Sequence, residues 1–261
     1  MVGKEDGTMR CTVSRMAAGI LVAMLFAAFP ALPTRADDSA AVVTLVDGKA
    51  HVYNKGEKRG RLLKKQDSVR KGQQIRVGDR SRLELKYPDG TVMRFAERST
   101  VDIDELTYDR NTQNKNVRVN MGFGKLWASV KKLVTADSRV EVKTVNAVAG
   151  VRGTTYRVNV DEDASALVRV YDGSVDVSGV QRQAQPEKPQ GLAPVPVPGP
   201  HEVPPPYHEV TMEEWHVIVK SFQQVSISAT GVASEPQDFN PQQDQDEWVT
   251  WNQERDRQLH L

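Results

Sequence analysis

Cysteine is almost absent from this chain: its 261 residues hold one, Cys11. Cys11 precedes an apolar run that reads as a removable leader. The mature chain then has no cysteine, which excludes disulfides, iron–sulfur clusters, cysteine-rich zinc sites and cysteine nucleophiles. An excess of charge of one sign is absent too. Lys and Arg number 35 against 34 Asp and Glu, a formal net charge of +1. Nucleic-acid binding needs a basic field to displace counterions, and none exists at the level of the whole chain. Hydrophobic residues make up only 39% and aromatics 6%, too little for a chain packed from end to end, so part of it reads as linker or tail. Histidine is scarce where it would matter. His51 is the single one before residue 181, while His201, His208, His216 and His260 come later. A catalytic dyad or triad would have to assemble across a linker, which defeats preorganisation. Metal-ligand spacing, a phosphate loop and GxGxxG are all missing. The expectation is a non-enzyme with no cofactor.

What is present begins with Arg10 and Arg15, the apolar stretch from Met16 to Phe29, the helix-breaking Pro30 and Pro33, and small residues at Thr34 and Ala36. Positive start, apolar core and small residues in that order make residues 1–36 a secretory signal peptide cut after Ala36. The apolar stretch is short for a retained anchor, which needs roughly 20 residues. Cys11 lies on the wrong side of it for lipoprotein acylation. The polar first eight residues leave Met1 and Met9 as alternative starts. No later run is long enough to span a membrane.

From Ala41 to Val180 the pattern is strand after strand. Val42–Val46, Leu83–Tyr87, Thr91–Phe95, Val117–Asn120, Val140–Val145, Tyr156–Val160, Leu167–Tyr171 and Val175–Val177 are rich in valine, and most alternate apolar with polar. Period two is the signature of half-buried antiparallel strands. Asp47-Gly48, Asp89-Gly90 and Asp172-Gly173 interrupt the alternation where positive φ is needed, and are expected to turn hairpins. The fold expected for residues 41–180 is mainly β, antiparallel hairpins wound as a sandwich or a solenoid-like domain.

Nine prolines from Pro186 to Pro206 mark residues 181–208 as a semi-rigid linker. Residues 209–261 read as a polar tail with two short amphipathic helices. Thr211-Met-Glu-Glu214 resembles a capping box, with Trp215, Ile218, Val219 and Phe222 on one face. A second helix is expected from about Asp244, with Trp248 and Trp251 sharing a face that docks on the β domain.

Two surface features invite a partner. Asp102 and Asp104 point to one side of a strand, a spacing usable in acid–base chemistry but expected for a solvated strand face. Between Lys55 and Lys86 basic residues crowd together, among them Arg59, Arg61, Lys64 and Lys65. They form a candidate face for an envelope protein or an anionic polymer.

Several of these segments, in order, resemble the FecR domain, the periplasmic sensor module of ferric-citrate-type sigma-factor regulators. Gly48–Val52 looks like its opening strand. Val69-Arg-Lys-Gly-Gln-Gln-Ile-Arg-Val-Gly78 resembles the family's L-x-x-G-D-x-I-x-T-G segment. Pro88-Asp-Gly-Thr-Val92 matches its hairpin, and Gly122-Phe-Gly-Lys-Leu126 its mid-domain glycine turn. Ala147-Val-Ala-Gly-Val-Arg-Gly-Thr154 and Val170-Tyr-Asp-Gly-Ser-Val175 match the last third. The resemblance implies structural roles for Gly90, Arg152, Gly153, Thr154 and Gly173. The ending Trp248–Arg257 resembles a tryptophan-and-arginine tail that follows such domains in exported proteins. The sigma-regulating members carry a cytoplasmic anti-sigma segment before the membrane helix. The stretch before Met16 is too small to fold as one. The resemblance therefore implies an exported, periplasmic or envelope module that binds or scaffolds. The alternative is a membrane-anchored signal-transduction regulator.

Overall fold

The structure, a computed structural model, describes Met1, Gly3, residues 39–181 and residues 213–261. Apart from Met1 and Gly3, the expected leader lies outside the described residues. So does the expected linker beyond Gln181. The described residues from 39 onward belong to one unit.

The alternating valines form strands that fall into two layers. One layer runs, edge to edge, β4 (Ser68–Arg70), β1 (Ala40–Asp47), β6 (Arg82–Lys86), β7 (Val92–Phe95), β9 (Lys115–Ser129), β12 (Thr155–Val160), β13 (Ala166–Asp172), β16 (Gln223–Ile227) and β17 (Gln237–Asp238). The other runs β3 (Arg61–Leu62), β2 (Ala50–Asn54), β5 (Gln73–Val77), β8 (Thr100–Tyr108), β9 again, β10 (Arg139–Lys143), β11 (Ala147–Val151), β14 (Ser174–Gln181) and β15 (Glu213–Lys220). Apart from β3 and β4 at one end, each layer fills in the order of the chain. The molecule is thus a sandwich by layering and solenoid-like by winding.

β9 joins the layers. Its first part pairs with β8 and, in parallel, with β10; its last residues sit between β7 and β12. The Gly122-Phe-Gly124 segment, expected as a turn, is instead the point where this 15-residue strand passes from one layer to the other. Gly124 has φ +108, and a Cβ there would fall on Ser99. Only glycine permits the crossing.

Inward side chains of both layers meet in one core. Val43, Leu85, Leu126 and Tyr156 of the first layer pack in the same cluster as Val52, Ile75, Val119 and Val177 of the second. Each such side chain contributes roughly 1.5–3 kcal/mol of burial. Asp89-Gly90 turns the β6–β7 hairpin as expected. Asp47-Gly48 and Asp172-Gly173 do not turn hairpins. They are corners at which the chain leaves the first layer for the second.

Residues 211 and 212 of the helix expected over 211–222 lie outside the described residues, and from Glu213 to Lys220 the helix is corrected to a strand. β15 pairs with β14 from Ser174↔Lys220 to Gln181↔Glu213. The helical reading used Trp215, Ile218, Val219 and Phe222. Yet Ile218 and Phe222 are half exposed, while Trp215, Val217 and Val219 face the core. Those three follow period two, and the β-branched run Val217-Ile-Val219 favours a strand once β14 offers an edge. The second expected helix forms. α1 (Glu247–Leu259) is capped by Asp246, whose side chain accepts from the Val249 amide. Residues 213–261 are therefore no separate tail: they complete both layers and cover one of them. Among the described residues no helix is long and apolar enough to cross a membrane.

Candidate functional site

Period two places polar side chains on the outer face of each layer, and strand register lines them up. Across the first layer Glu84, Arg94, Trp127, Arg157, Arg169 and Gln224 stand in one row, one per strand. This row lies beneath the segment 244–256. Asp256 accepts from Arg94 at 2.6 Å, from the Trp127 indole at 2.9 Å and from the Ser129 hydroxyl at 3.1 Å. Asp244 accepts from Arg157 at 2.8 Å, from Arg169 at 2.6 Å and from the Tyr171 hydroxyl. Arg255 reaches both oxygens of Glu84 at 3.0 Å. Burial opposes ionisation of Glu84, but hydrogen bonds from Arg255, Arg94 and Thr44 prevail and lower its carboxyl from 4.5 to about 2. Trp251 lies between Arg82 and Arg94, 4.9 and 5.9 Å from its ring centre, and stacks on Trp248. The tryptophan-and-arginine ending is thus a strap that neutralises a row of arginines.

The second layer carries the matching row Tyr53, Gln74, Asp102 and Asn120. No segment of the described chain lies over it; instead it borders a cleft of about 600 Å³. β2 supplies Tyr53 and Asn54, β5 supplies Gln74 and Arg76, and β8 supplies Asp102 and Asp104. Lys55, Glu57 and Lys71 come from neighbouring turns. The side chains hold one another. Gln74 donates to Asp102 at 2.8 Å, and Arg76 donates to Gln74 at 2.8 Å while lying 4.7 Å from the Tyr53 ring centre. Gln73 donates to Asn54 at 2.8 Å, and Asn54 to Glu57 at 3.1 Å. This chained set leaves carboxylate and amide atoms pointing at solvent in fixed positions. It suits recognition through hydrogen bonds. Among the described residues no group of three or more His, Cys, Asp or Glu side chains is placed to hold a metal ion.

Arg59, Arg61, Lys64 and Lys65, the basic face expected from charge, stand apart from this cleft. They are exposed on the segment between β2 and β4, Arg61 within the short strand β3. Arg61 is paired with Asp67 at 2.5 Å, and Asp67 also accepts from the Lys64 amide. None of the four lines the cleft. Asp102 and Asp104 do line it. Gly90 closes the β6–β7 turn with φ +87, its amide donating to the Tyr87 carbonyl. Gly173 has φ +88, and a Cβ there would come within 2.8 Å of the Gly153 carbonyl oxygen. Thr154 ties the same corner by donating to the Ser174 carbonyl at 2.8 Å. Arg152 is exposed beside it. Sequence reasoning does not single out Tyr53 or Gln74 as site residues and counts Arg76 only within the basic run. Their signal was the alternation with Val52, Ile75 and Val77, which faces them outward, but only strand register reveals the row.

No curated protein matches the chain. Two crystal structures of a candidate anti-sigma factor from Parabacteroides distasonis align with it at 18% identity and a TM-score of 0.41, covering 64% of this chain and 60% of that one. The family model described as FecR protein matches residues 73–176. That match runs from the first residue of β5 into β14 and takes in the β5 and β8 walls of the cleft and the arginine row from Glu84 to Arg169; over this region the chain is similar to the FecR family.

Proposed function

We propose that this is an exported, non-enzymatic FecR-domain protein that binds or scaffolds a component of the bacterial envelope through the outer face of its second layer. One observation carries the reading: the two outer faces are built alike, yet among the described residues the chain covers one with its own helix and leaves the other as a polar cleft. A face kept uncovered with its side chains already hydrogen-bonded in place is prepared for an outside partner. The leader-like residues 1–36 support export. The carboxylates Asp102 and Asp104 serve recognition in this reading, because Asp102 already accepts from Gln74 and no metal-binding group adjoins them among the described residues.

The FecR match favours a second reading, a regulator that transmits an envelope signal from a retained membrane anchor. Fractionation with intact-mass measurement separates the two. A soluble envelope species beginning at Asp37 is expected; a membrane species retaining Met16 to Ala36 would make the anchored regulator the better account. Envelope material retained by immobilised protein and released by Asp102→Ala identifies the cleft as the binding face. Retention that ignores Asp102→Ala removes it.

A further inference from the structure

We infer that the cleft takes a hydroxyl-rich glycan strand, with uncharged pyranose rings lying along the row Tyr53–Gln74–Asp102–Asn120; this rests on the binding reading above and names its ligand. The lining is electrically balanced. It holds Lys55, Lys71 and Arg76 against Glu57, Asp102 and Asp104, and these cancel. A cleft without net field has little to draw an anionic polymer, whereas Arg59, Arg61, Lys64 and Lys65, which would do so, lie outside it.

The lining is also polar. Apart from Tyr53, Ile103, Gly56 and Gly72, its side chains all carry polar or charged groups, so a lipid tail or an apolar side chain would find few partners. Those groups include amides, carboxylates and a guanidinium, which offer donors and acceptors side by side. Vicinal hydroxyls, each both donor and acceptor, answer that mixture; a phosphate or carboxylate answers only the donors.

Preorganisation and spacing point the same way. The bonds Arg76–Gln74–Asp102 and Gln73–Asn54–Glu57 fix the side chains before a ligand arrives, which lowers the entropy lost on binding. The row presents one group per strand, a step of about 4.8 Å, the scale on which a linear chain of pyranose rings repeats. Asn120 carries it on towards Lys143 on β10, so the site is open to a strand longer than the cleft.

The test is calorimetric titration of the full chain with neutral hexasaccharides of N-acetylglucosamine, glucose and mannose, with polyglutamate as an anionic comparison. At least one hexasaccharide is expected to bind saturably and to keep its affinity from about 0.1 to 1 M salt, where charge pairing fades. Gln74→Ala and Asp102→Ala should each weaken it about tenfold. Asp102→Asn, which keeps an acceptor for Gln74, should lose less, and Arg59→Glu with Lys64→Glu and Lys65→Glu should change nothing. Melting curves check that each variant is folded. Binding of polyglutamate alone, abolished by salt or by the triple reversal, would overturn the glycan assignment. So would failure of all three hexasaccharides. If envelope material is nonetheless retained and Asp102→Ala releases it, only the ligand class has failed; if retention also ignores the cleft, the binding reading fails with it.

Discussion

The two outer faces of the sandwich start from the same plan and end differently. On each, register lines up one polar side chain per strand. On the first layer the row contains three arginines, and positive charge withdrawn from water is costly unless it is paired. On the second the row is Tyr53, Gln74, Asp102 and Asn120, in which Gln74 and Asp102 bond each other, Arg76 joins Gln74 and Tyr53, and the whole can stay wet. Composition within a row thus decides whether a face must be covered. Arginines held beneath Asp244, Asp256 and Trp251 become stability, while the self-satisfied row remains available for recognition.

The contrast is largest at the strap. Asp256→Ala takes the acceptor from the Trp127 indole and one of its two carboxylate partners from Arg94, and loss of one partner from a buried pair costs about 3–5 kcal/mol. Asp102→Ala on the open face should lower stability by no more than about 0.5 kcal/mol. Equal losses in urea titrations of the two variants would erase the distinction between the faces.

Acid probes the covered face next. The carboxyl of Glu84 is held at about 2 against an ordinary 4.5. A depressed folded value contributes stability that is present above pH 4.5 and disappears as pH falls towards 2. Glu84→Gln should therefore be less stable than the parent by about 3 kcal/mol at neutral pH, and the two should converge near pH 2. A constant difference across that window would show that Glu84 does not titrate as described.

The crossing strand, which belongs to both layers, follows in magnitude. Gly124→Ala places a Cβ against Ser99 at positive φ, and strain of about 1–3 kcal/mol is expected in thermal melts. The smallest effect belongs to the open face. The exposed pair Lys71–Glu105, 2.6 Å apart, should be worth less than about 1 kcal/mol in a double-mutant cycle.

The β class was legible because valine alternation survives in short windows, and α1 was legible from its acidic first turn and the Trp248–Trp251 spacing. What stayed hidden depended on distant partners. Trp215 to Phe222 fits both periods, and only the edge of β14 decides for the strand. Asp47-Gly48 and Asp172-Gly173 carry the same local signal as Asp89-Gly90, yet they turn corners between layers because their flanking strands pair elsewhere. The basic residues at 59–65 stood out by charge, while the cleft did not, since Tyr53, Gln74 and Asp102 lie far apart in sequence and meet only through register.

The order in which the layers fill has a consequence for the chain as it is made. Each new strand from β5 to β16 finds a neighbour already synthesised, so the sandwich can grow from one end. Arg94, Arg157 and Arg169 take their places early; Arg94 finds Glu84 beside it, but its second carboxylate is Asp256, and Arg157 and Arg169 have theirs at Asp244 and Asp246. Until those residues arrive, the growing layer carries uncompensated cations on a face that also exposes Trp127. Closure by the strap is then the step that separates a finished molecule from one still open to chaperones and proteases.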